Sequence, residues 1–477
     1  MVRNPSKSTG RTLSRREILA YTASGTVPFL AGCTGGDSDG GNNTAQSDSG
    51  GSNATNTSDS GGSGDTNVSE QVGSGDGEAL TIGSPLPLTG AFAPSGEDNR
   101  DAIRMAVRDF FGGRENVEGS PEYIPSGEPE YLGSVNLLFQ DTELDAEVGT
   151  RVMRNIIEQD SADFIVGGVS TSVTVGMAEL AENLETMTVL TGTGNTQVTG
   201  ESRGKWHFRS YLNAYNTSQT LTDYLVNEEG YRDVFVVYSD YGWGYNHRDI
   251  TREVVEGADG SIVNEIAVPF GTSDFSSQIT QILNSNAGLA YLAVFDNDAI
   301  NAVKQAQQAG VKDTETDIAI PIHTVPQSRG LTQEAMSGVW GTLKYYYLFD
   351  NPNSINFVNR FHNEYDRVPS SEATAGYKSA MEVLKATERA GSTDDRDVIA
   401  ELEGSGGVYF KDSEEYYREC DHQLIQPDVV GRGYDQNPEI SMDIPEVDFP
   451  LVESIATYDD SNTVFRSCDS LPGSMEY

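Results

Sequence analysis

The sequence predicts an α/β protein with two doubly wound lobes, each a parallel β-sheet covered by helices. From Leu80 onward, short apolar strands alternate with amphipathic helices, a pattern typical of parallel sheets. This alternation occurs as two series in tandem, separated near Trp206–Arg209. The run Phe164–Ser172 also has the form of a buried strand, a tight turn and a helix start. We therefore expect ligands to bind beyond the carboxyl ends of the strands.

The elements of the first series follow from apolar runs for strands and from helical spacing of apolar residues for helices. They are strand Leu80–Gly83, helix Glu97–Phe111, strand Val135–Phe139, helix Asp145–Gln159, strand Phe164–Gly167, helix Val173–Leu184 and strand Met187–Leu190. The same patterns define the second series. Its elements are helix 214–229, strand Val234–Tyr238, helix 245–256, strand Ser261–Val268, helix 274–284, strand Leu289–Phe295, helix 298–309 and strand Ile318–Ile322.

The chain after these series has a different order of elements. An aromatic strand, Val339–Leu348, is predicted before helices 353–366, 371–390 and Asp394–Leu402. The remainder contains strand-like pieces and two cysteines, Cys420 and Cys468. In an exported chain, an even pair of cysteines indicates a disulfide, although two buried thiols remain an alternative.

The N-terminus has the pattern of a targeting segment. Residues Ser14–Leu19 resemble a twin-arginine export signal, with Ile18 where Phe is more common. The following run is too short and too polar for a membrane span, and it ends in a lipobox-like motif at Cys33. We expect 1–32 to be a removed signal peptide. Residues 33–78 are expected to be a lipid-bearing cysteine with a flexible Gly/Ser/Asp/Asn tether.

The composition is strongly acidic. The formal charge is −42, and the 477 residues include only eight lysines. Such a surface argues against nucleic acid and anionic lipid as partners, so the lipid anchor is the only membrane contact expected. An acidic, Lys-poor surface is also typical of halophiles; a merely acidic secreted protein is the alternative.

The chemistry-bearing motifs favour binding over catalysis. The two glycines and the hydroxyls after Phe164–Val166 offer close backbone approach, donors and a helix N-terminus that favours an anion. A plain strand–loop–helix connection is the alternative interpretation. The five histidines lack metal-ligand spacing, and the sequence has no nucleophile elbow or phosphate-binding loop. We expect no cofactor, no metal and no catalytic residue.

Several ordered motifs resemble those of extracytoplasmic solute-binding proteins of ABC importers, of the branched-chain amino acid (Leu/Ile/Val) type. The similarity covers about 80–425. The matching motifs are Ile82-Gly83, Pro87-Leu88-Thr89-Gly90, Gly96, Asp141, Val166–Ser172, Phe208-Arg209, Asp240-Tyr241-Gly242-Trp243-Gly244, Asp274-Phe275-Ser276 and Gln305-Ala306 with Ala309-Gly310.

This resemblance implies a type I periplasmic binding protein fold, with two lobes joined by three crossovers, two of them near Arg209 and Tyr347. Lobe 1 would comprise 79–208 plus 348–392, and lobe 2 would comprise 209–347 plus 393–477. The carboxylate of a small ligand would be held by lobe 1, and aromatic side chains would come from lobe 2. The residues carried over are Thr171, Ser172, Thr193 and Asn195 in lobe 1, and Tyr241 and Phe295 in lobe 2.

One departure from the family bears on the ligand. Relatives that bind amino acids place a Glu after the strand equivalent to Ile318–Ile322, whereas this chain has His323 there. Asp240, Asp296 or Asp298 are possible substitutes. The resemblance implies a monomeric binding protein that delivers its solute to a permease and an ATPase. An exported α/β hydrolase and a sensor of the same fold are the alternatives.

Overall fold

The computed structural model describes residues 68–113, 121–459, 465–471 and 475. The predicted signal peptide, Cys33 and most of the predicted tether lie outside these ranges.

The first sheet has six strands in the order β1-β3-β2-β4-β5-β6. They are β1 (Val68–Val72), β2 (Glu78–Leu86), β3 (Leu132–Asp141), β4 (Phe164–Val169), β5 (Thr188–Gly192) and β6 (His207–Arg209). All pairs are parallel except the edge pair β1–β3. The connecting helices are α1 (Ala93–Gly112), α2 (Ala146–Glu158) and α3 (Thr171–Leu184).

The second sheet has seven strands. Its parallel part contains β7 (Asp233–Ser239), β8 (Ser261–Val268), β9 (Leu289–Ala293), β10 (Asp317–Ile322) and β11 (Trp340–Thr342). Asp428–Gly433 and Val452–Tyr458 extend it antiparallel beyond β11. Its helices are α4 (Ala214–Asn227), α5 (Gly242–Gly257), α6 (Ser276–Leu283), α7 (Asn297–Gln308), α8 (Val325–Gly330) and α9 (Gln333–Met336). Two such lobes confirm the predicted fold class.

Polar side chains determine where several helices begin. Asp145 accepts hydrogen bonds from the first amides of α2, and Asn213 forms a capping box at the start of α4. Such caps satisfy N–H groups that have no partner within the helix. Asn351 and Ser370 cap α10 (Pro352–Tyr365) and α11 (Ser371–Ala390) in the same way.

Helices α10 and α11 return the chain to lobe 1. Arg360 and Arg367 of this region form ion pairs with Asp109 and Asp98 of α1, at 2.6 and 2.7 Å. Most of α11 is buried, so this 20-residue helix has no exposed polar face. Helix α12 (Asp395–Leu402) then packs against α11, and the Asp395 carboxylate accepts a hydrogen bond from the Met187 amide.

The structure corrects three details of the prediction. Val68–Val72 is not part of a tether, because its two valines pack on the core and its backbone pairs with β3. The predicted strand Val339–Leu348 ends at Thr342, where the chain leaves the sheet. Helix α12 lies on lobe 1 although 393–477 was assigned to lobe 2.

Three connections join the lobes. The first follows β6 at 210–213, and the second runs from Leu343 to Asn351. The third is at Gln426–Pro427, where the Gln426 side chain donates to the Ser210 carbonyl at 2.9 Å. Before this point lies a small sheet of Gly406–Val408, Glu414–Tyr417 and Leu424–Ile425. The third crossover therefore lies later in the chain than the predicted boundary at 392/393.

The segment Arg418–Gln423 stabilises this connecting region. Arg418 pairs with Asp421, and Gln423 accepts from Nε of the fully buried Arg209 at 2.6 Å. Arg209 also donates to the Asn195 carbonyl and to the Thr199 hydroxyl. The Cys420–Cys468 disulfide, as predicted, joins this segment to the end of the chain with a Cα–Cα distance of 6.0 Å.

Candidate functional site

The candidate site is a cleft between the lobes at the carboxyl ends of β4, β5 and β10. It encloses ≈ 440 Å³ of empty space, including its opening to solvent. Its lining residues are Phe92, Ser95, Val169, Ser170, Thr171, Gly192, Gly194, Tyr211, Tyr241, Trp243, Phe295, Ile322, Lys344 and Glu372. A larger groove beside β1, with ≈ 1200 Å³ of empty space measured in the same way, is lined by one lobe alone. Because open α/β sheets bind ligands at the strand ends, we take the interlobe cleft as the site.

Lobe 1 contributes the start of α3 to the cleft. Ser170 has φ 83, an uncommon value for a residue with a side chain, and no side chain caps the helix there. Thr171 lines the cleft at 9% exposure. The first amides of a helix carry free N–H groups and a partial positive charge. This turn can therefore donate hydrogen bonds from both backbone and hydroxyl to an anion.

Four aromatic side chains that line the cleft, together with Phe270, which contacts two of them, form a cluster here called the aromatic wall (Phe92, Tyr241, Trp243, Phe270 and Phe295). Their rings contact one another in a closed circuit, with centroid separations from 5.7 to 6.2 Å. Phe92 comes from lobe 1 and the other four from lobe 2. Phe270 is 49% exposed. The aromatic wall offers a large apolar contact area to a ligand side chain.

A charged cluster of Tyr211, Lys344 and Glu372 lies at the lobe connections. The Lys344 ammonium is 3.7 Å from the centroid of the Tyr211 ring and donates to the Leu212 carbonyl at 2.5 Å. The Tyr211 hydroxyl donates to the Glu372 carboxylate at 2.6 Å. Lys344 and Glu372 are 4% and 3% exposed. Burial lowers the pKa of Lys344 to about 7, while Asp428 and Glu372 act in the opposite direction.

The lobes touch at the edge of the cleft. A Cβ atom on Gly194 would lie 2.6 Å from Cδ1 of Trp243, so only glycine permits this approach. Nearby, the Thr196 amide of lobe 1 donates to the Asn246 side chain of lobe 2 at 3.1 Å. The structure therefore has the lobes closed against each other on this side.

Three of the six predicted ligand residues line the cleft, namely Thr171, Tyr241 and Phe295. Ser172 is exposed, and its hydroxyl lies 3.1 Å from that of Ser170. Thr193 is fully buried, and Asn195 uses its side chain to accept from the Val198 amide. The structure brings these last three near the site without placing them on its surface. Ser172 and Thr193 are chain neighbours of the lining residues Thr171, Gly192 and Gly194.

The proposed substitutes for the missing Glu do not line the cleft. Asp240 accepts from the Tyr245 hydroxyl, and Asp298 accepts from the Gly271 amide at 2.9 Å. Asp296 is half-buried, and burial together with Glu372 and Asp298 raises its pKa to about 6. His323 is fully buried against the Val339 carbonyl, and burial lowers its pKa to about 4. The acid that faces the cleft is Glu372, from lobe 1.

The sequence interpretation missed all three residues of the charged cluster and three of the five residues of the aromatic wall. Trp243 lies within a motif already noted, two positions after Tyr241. Lys344 lies in an apolar, aromatic run, and the chain has only eight lysines. A charged residue of a rare type in such a run could have indicated a functional role. Tyr211 and Glu372 carried no comparable indication, because each follows an ordinary strand end or helix cap.

The described residues contain no group of His, Cys, Asp or Glu that could hold a metal ion. Within the same ranges, no helix has the length and apolar character needed to cross a membrane.

Two α/β lobes with a cleft between them at the strand ends define the class of two-lobed binding proteins. The chain belongs to the periplasmic binding protein family, whose model matches residues 79–435. This is a family of binding proteins rather than enzymes.

Among relatives, an amino acid binding protein of Pseudomonas aeruginosa is 25% identical over 233 residues, 49% of this chain and 58% of the relative. The match thus spans little more than half the length of that relative. A periplasmic binding protein of Burkholderia mallei has the same fold with a TM-score of 0.70 and 24% identity, over 82% of this chain and 98% of the other. A solute-binding protein of an ABC transporter from Rhodopseudomonas palustris, in complex with 3,4-dihydroxybenzoic acid, has the same fold with a TM-score of 0.67 and 18% identity. The match covers 80% of this chain and 97% of the other.

Proposed function

We propose that the protein is the solute-binding component of an ABC importer and captures one small carboxylate-bearing organic solute between its lobes. One observation carries this proposal. The open N-terminus of α3 at Thr171 and the aromatic wall line the same interlobe cleft. The helix start suits an anion, and the aromatic rings suit an apolar group on the same molecule.

The relatives indicate which solutes to test first. One is named for amino acids, and one fold neighbour holds an aromatic acid. Both kinds of ligand carry a carboxylate beside an apolar or aromatic body. Branched-chain amino acids and substituted benzoates are therefore the first two groups of candidates.

The remaining parts of the proposal concern cellular context. The signal-like segment and Cys33 support export by the twin-arginine route and lipid anchoring at the outer face of the cytoplasmic membrane. The partners would be a membrane permease and an ATPase, and the protein would act as a monomer without cofactor or catalysis. Family membership supports an extracytoplasmic location in general.

A calorimetric screen of both candidate groups, in multimolar KCl, tests the proposal. We expect one-to-one binding, with the solute recovered unchanged when the mixture is analysed by NMR. Trp243→Ala, which opens the aromatic wall, should weaken binding. Arg154→Ala, on the exposed face of α2, is the matched control. Turnover of a solute, or no binding by either group, would contradict the proposal.

A further inference from the structure

Two buried charges facing the cleft have no ion-pair partner. Lys344 and Glu372 both line it, and neither takes part in an ion pair among the described residues. Leaving a buried charge without an opposite charge is costly unless a ligand or a change of protonation compensates it. Lys344 makes one hydrogen bond, to the Leu212 carbonyl, although its ammonium has three donors.

A second cluster in this chain has the same three residue types, and its two charged side chains pair with each other. Lys385, Tyr409 and Glu382 repeat the same arrangement, with the tyrosine hydroxyl donating to the glutamate and the lysine over the ring at 5.2 Å. There, however, Lys385 and Glu382 pair directly at 3.0 Å. In the cleft, Lys344 lies over the face of the Tyr211 ring, and Glu372 accepts from the Tyr211 hydroxyl and, at 3.1 Å, from the Ser371 hydroxyl. The two charges do not pair with each other.

We propose that Lys344 and Glu372 together select a zwitterion, an α-amino acid with an apolar side chain. Lys344 pairs with its carboxylate, and Glu372 accepts from its ammonium. This inference rests on the proposed function and specifies the residues that determine solute choice. The α3 start at Thr171 donates to the same carboxylate, whose two oxygens accept several bonds. The aromatic wall contacts the side chain.

The geometry accounts for the absence of an acid after β10. In this chain the ammonium partner comes from the first turn of α11 in lobe 1, and His323 takes no part. Lobe 1 and the lobe connections then supply both charged contacts, and lobe 2 supplies aromatic contacts. Selection between zwitterion and simple acid therefore depends on Glu372.

Three ligands of one shape test the proposal on the native protein: L-leucine, 4-methylpentanoate without the ammonium, and L-leucinamide without the carboxylate. We expect leucine to bind about tenfold or more tightly than either analogue, since each lost charged contact costs about that factor. The same comparison with L-phenylalanine and 3-phenylpropanoate covers a larger side chain. Equal affinity for the acid and the amino acid in both series would overturn the proposal while leaving the proposed function intact. Absence of binding by every carboxylate would contradict both.

Two variants test whether Glu372 contacts the ammonium of the ligand and Lys344 contacts its carboxylate. Measured below pH 7, where Lys344 is protonated, Glu372→Gln should reduce affinity for leucine about tenfold or more without weakening 4-methylpentanoate. Lys344→Met should weaken both carboxylates and spare leucinamide. Glu382→Gln and Lys385→Met, in the second cluster, are matched controls expected to leave all three affinities unchanged. Equal weakening of both carboxylates by Glu372→Gln would overturn the assignment, and the wild-type ligand series still tests the proposal if a variant fails to fold.

Discussion

Replacement of Thr171 by alanine tests the anion site at the start of α3. The Thr171 hydroxyl makes no hydrogen bond within the described residues, and the side chain lines the cleft. The variant keeps the backbone amides of the helix start, so it removes one donor and not the whole site. One hydrogen bond to a charged carboxylate contributes about 1.5–3 kcal/mol, which corresponds to a roughly 10- to 150-fold loss of affinity.

Ser172→Ala is the matched control for this change. Ser172 is one residue further along the same helix, but it is exposed and its hydroxyl faces Ser170 at 3.1 Å. Exposed substitutions of this kind change free energies by no more than about 0.5 kcal/mol, or roughly twofold in affinity. The family resemblance implies that both hydroxyls hold the carboxylate; in the structure Thr171 lines the cleft and Ser172 does not.

Isothermal titration in high salt, with the tightest-binding carboxylate, is the appropriate assay. Thermal melts without ligand should superimpose for wild type and both variants, because neither hydroxyl supports the fold. Equal affinities for wild type and Thr171→Ala would show that the carboxylate does not contact this hydroxyl. Weakening by Ser172→Ala alone would mean that the cleft is reached from a different face of α3.

Four further predictions concern stability, titration and anchoring. Reducing the disulfide, whose cysteines are 48 residues apart, should lower the free energy of unfolding by about 4 kcal/mol in denaturant titrations, and an unchanged midpoint would refute this. The melting midpoint should rise from low to multimolar KCl, because salt shortens the range of charge repulsion from about 10 Å at 0.1 M to about 3 Å at 1 M; a flat curve would contradict the halophile interpretation. Affinity for 4-methylpentanoate should fall as the pH rises above 7, since only the protonated Lys344 attracts it and its pKa is lowered to about 7, whereas Lys344→Met should have a flat profile. The charged or titratable groups around Lys344 are Arg209, Tyr211, His247, Glu372, Lys411 and Asp428. Intact mass of the membrane-extracted protein should correspond to a lipidated chain beginning at Cys33, and an unmodified chain beginning earlier would exclude the anchor.

The sequence by itself determined the class of fold and most of its elements. Strands such as Phe164–Val169 and helices such as Ser371–Ala390 are recognisable because each depends on a local apolar period. The disulfide followed from counting cysteines in an exported chain. Thr171, Tyr241 and Phe295 were carried over from the family resemblance, and they line the cleft because each follows a strand end and such positions converge in a parallel sheet.

Only the tertiary structure decided which side chains meet in the cleft and where the chain crosses between lobes. Tyr211, Lys344 and Glu372 come from segments more than 25 residues apart, and no local pattern states that Lys344 lies over the Tyr211 ring. The edge strand Val68–Val72 exists because its valines find a hydrophobic surface made by other segments. Contacts between distant segments depend on the path of the whole chain, whereas helices and strands are determined mainly by neighbouring residues.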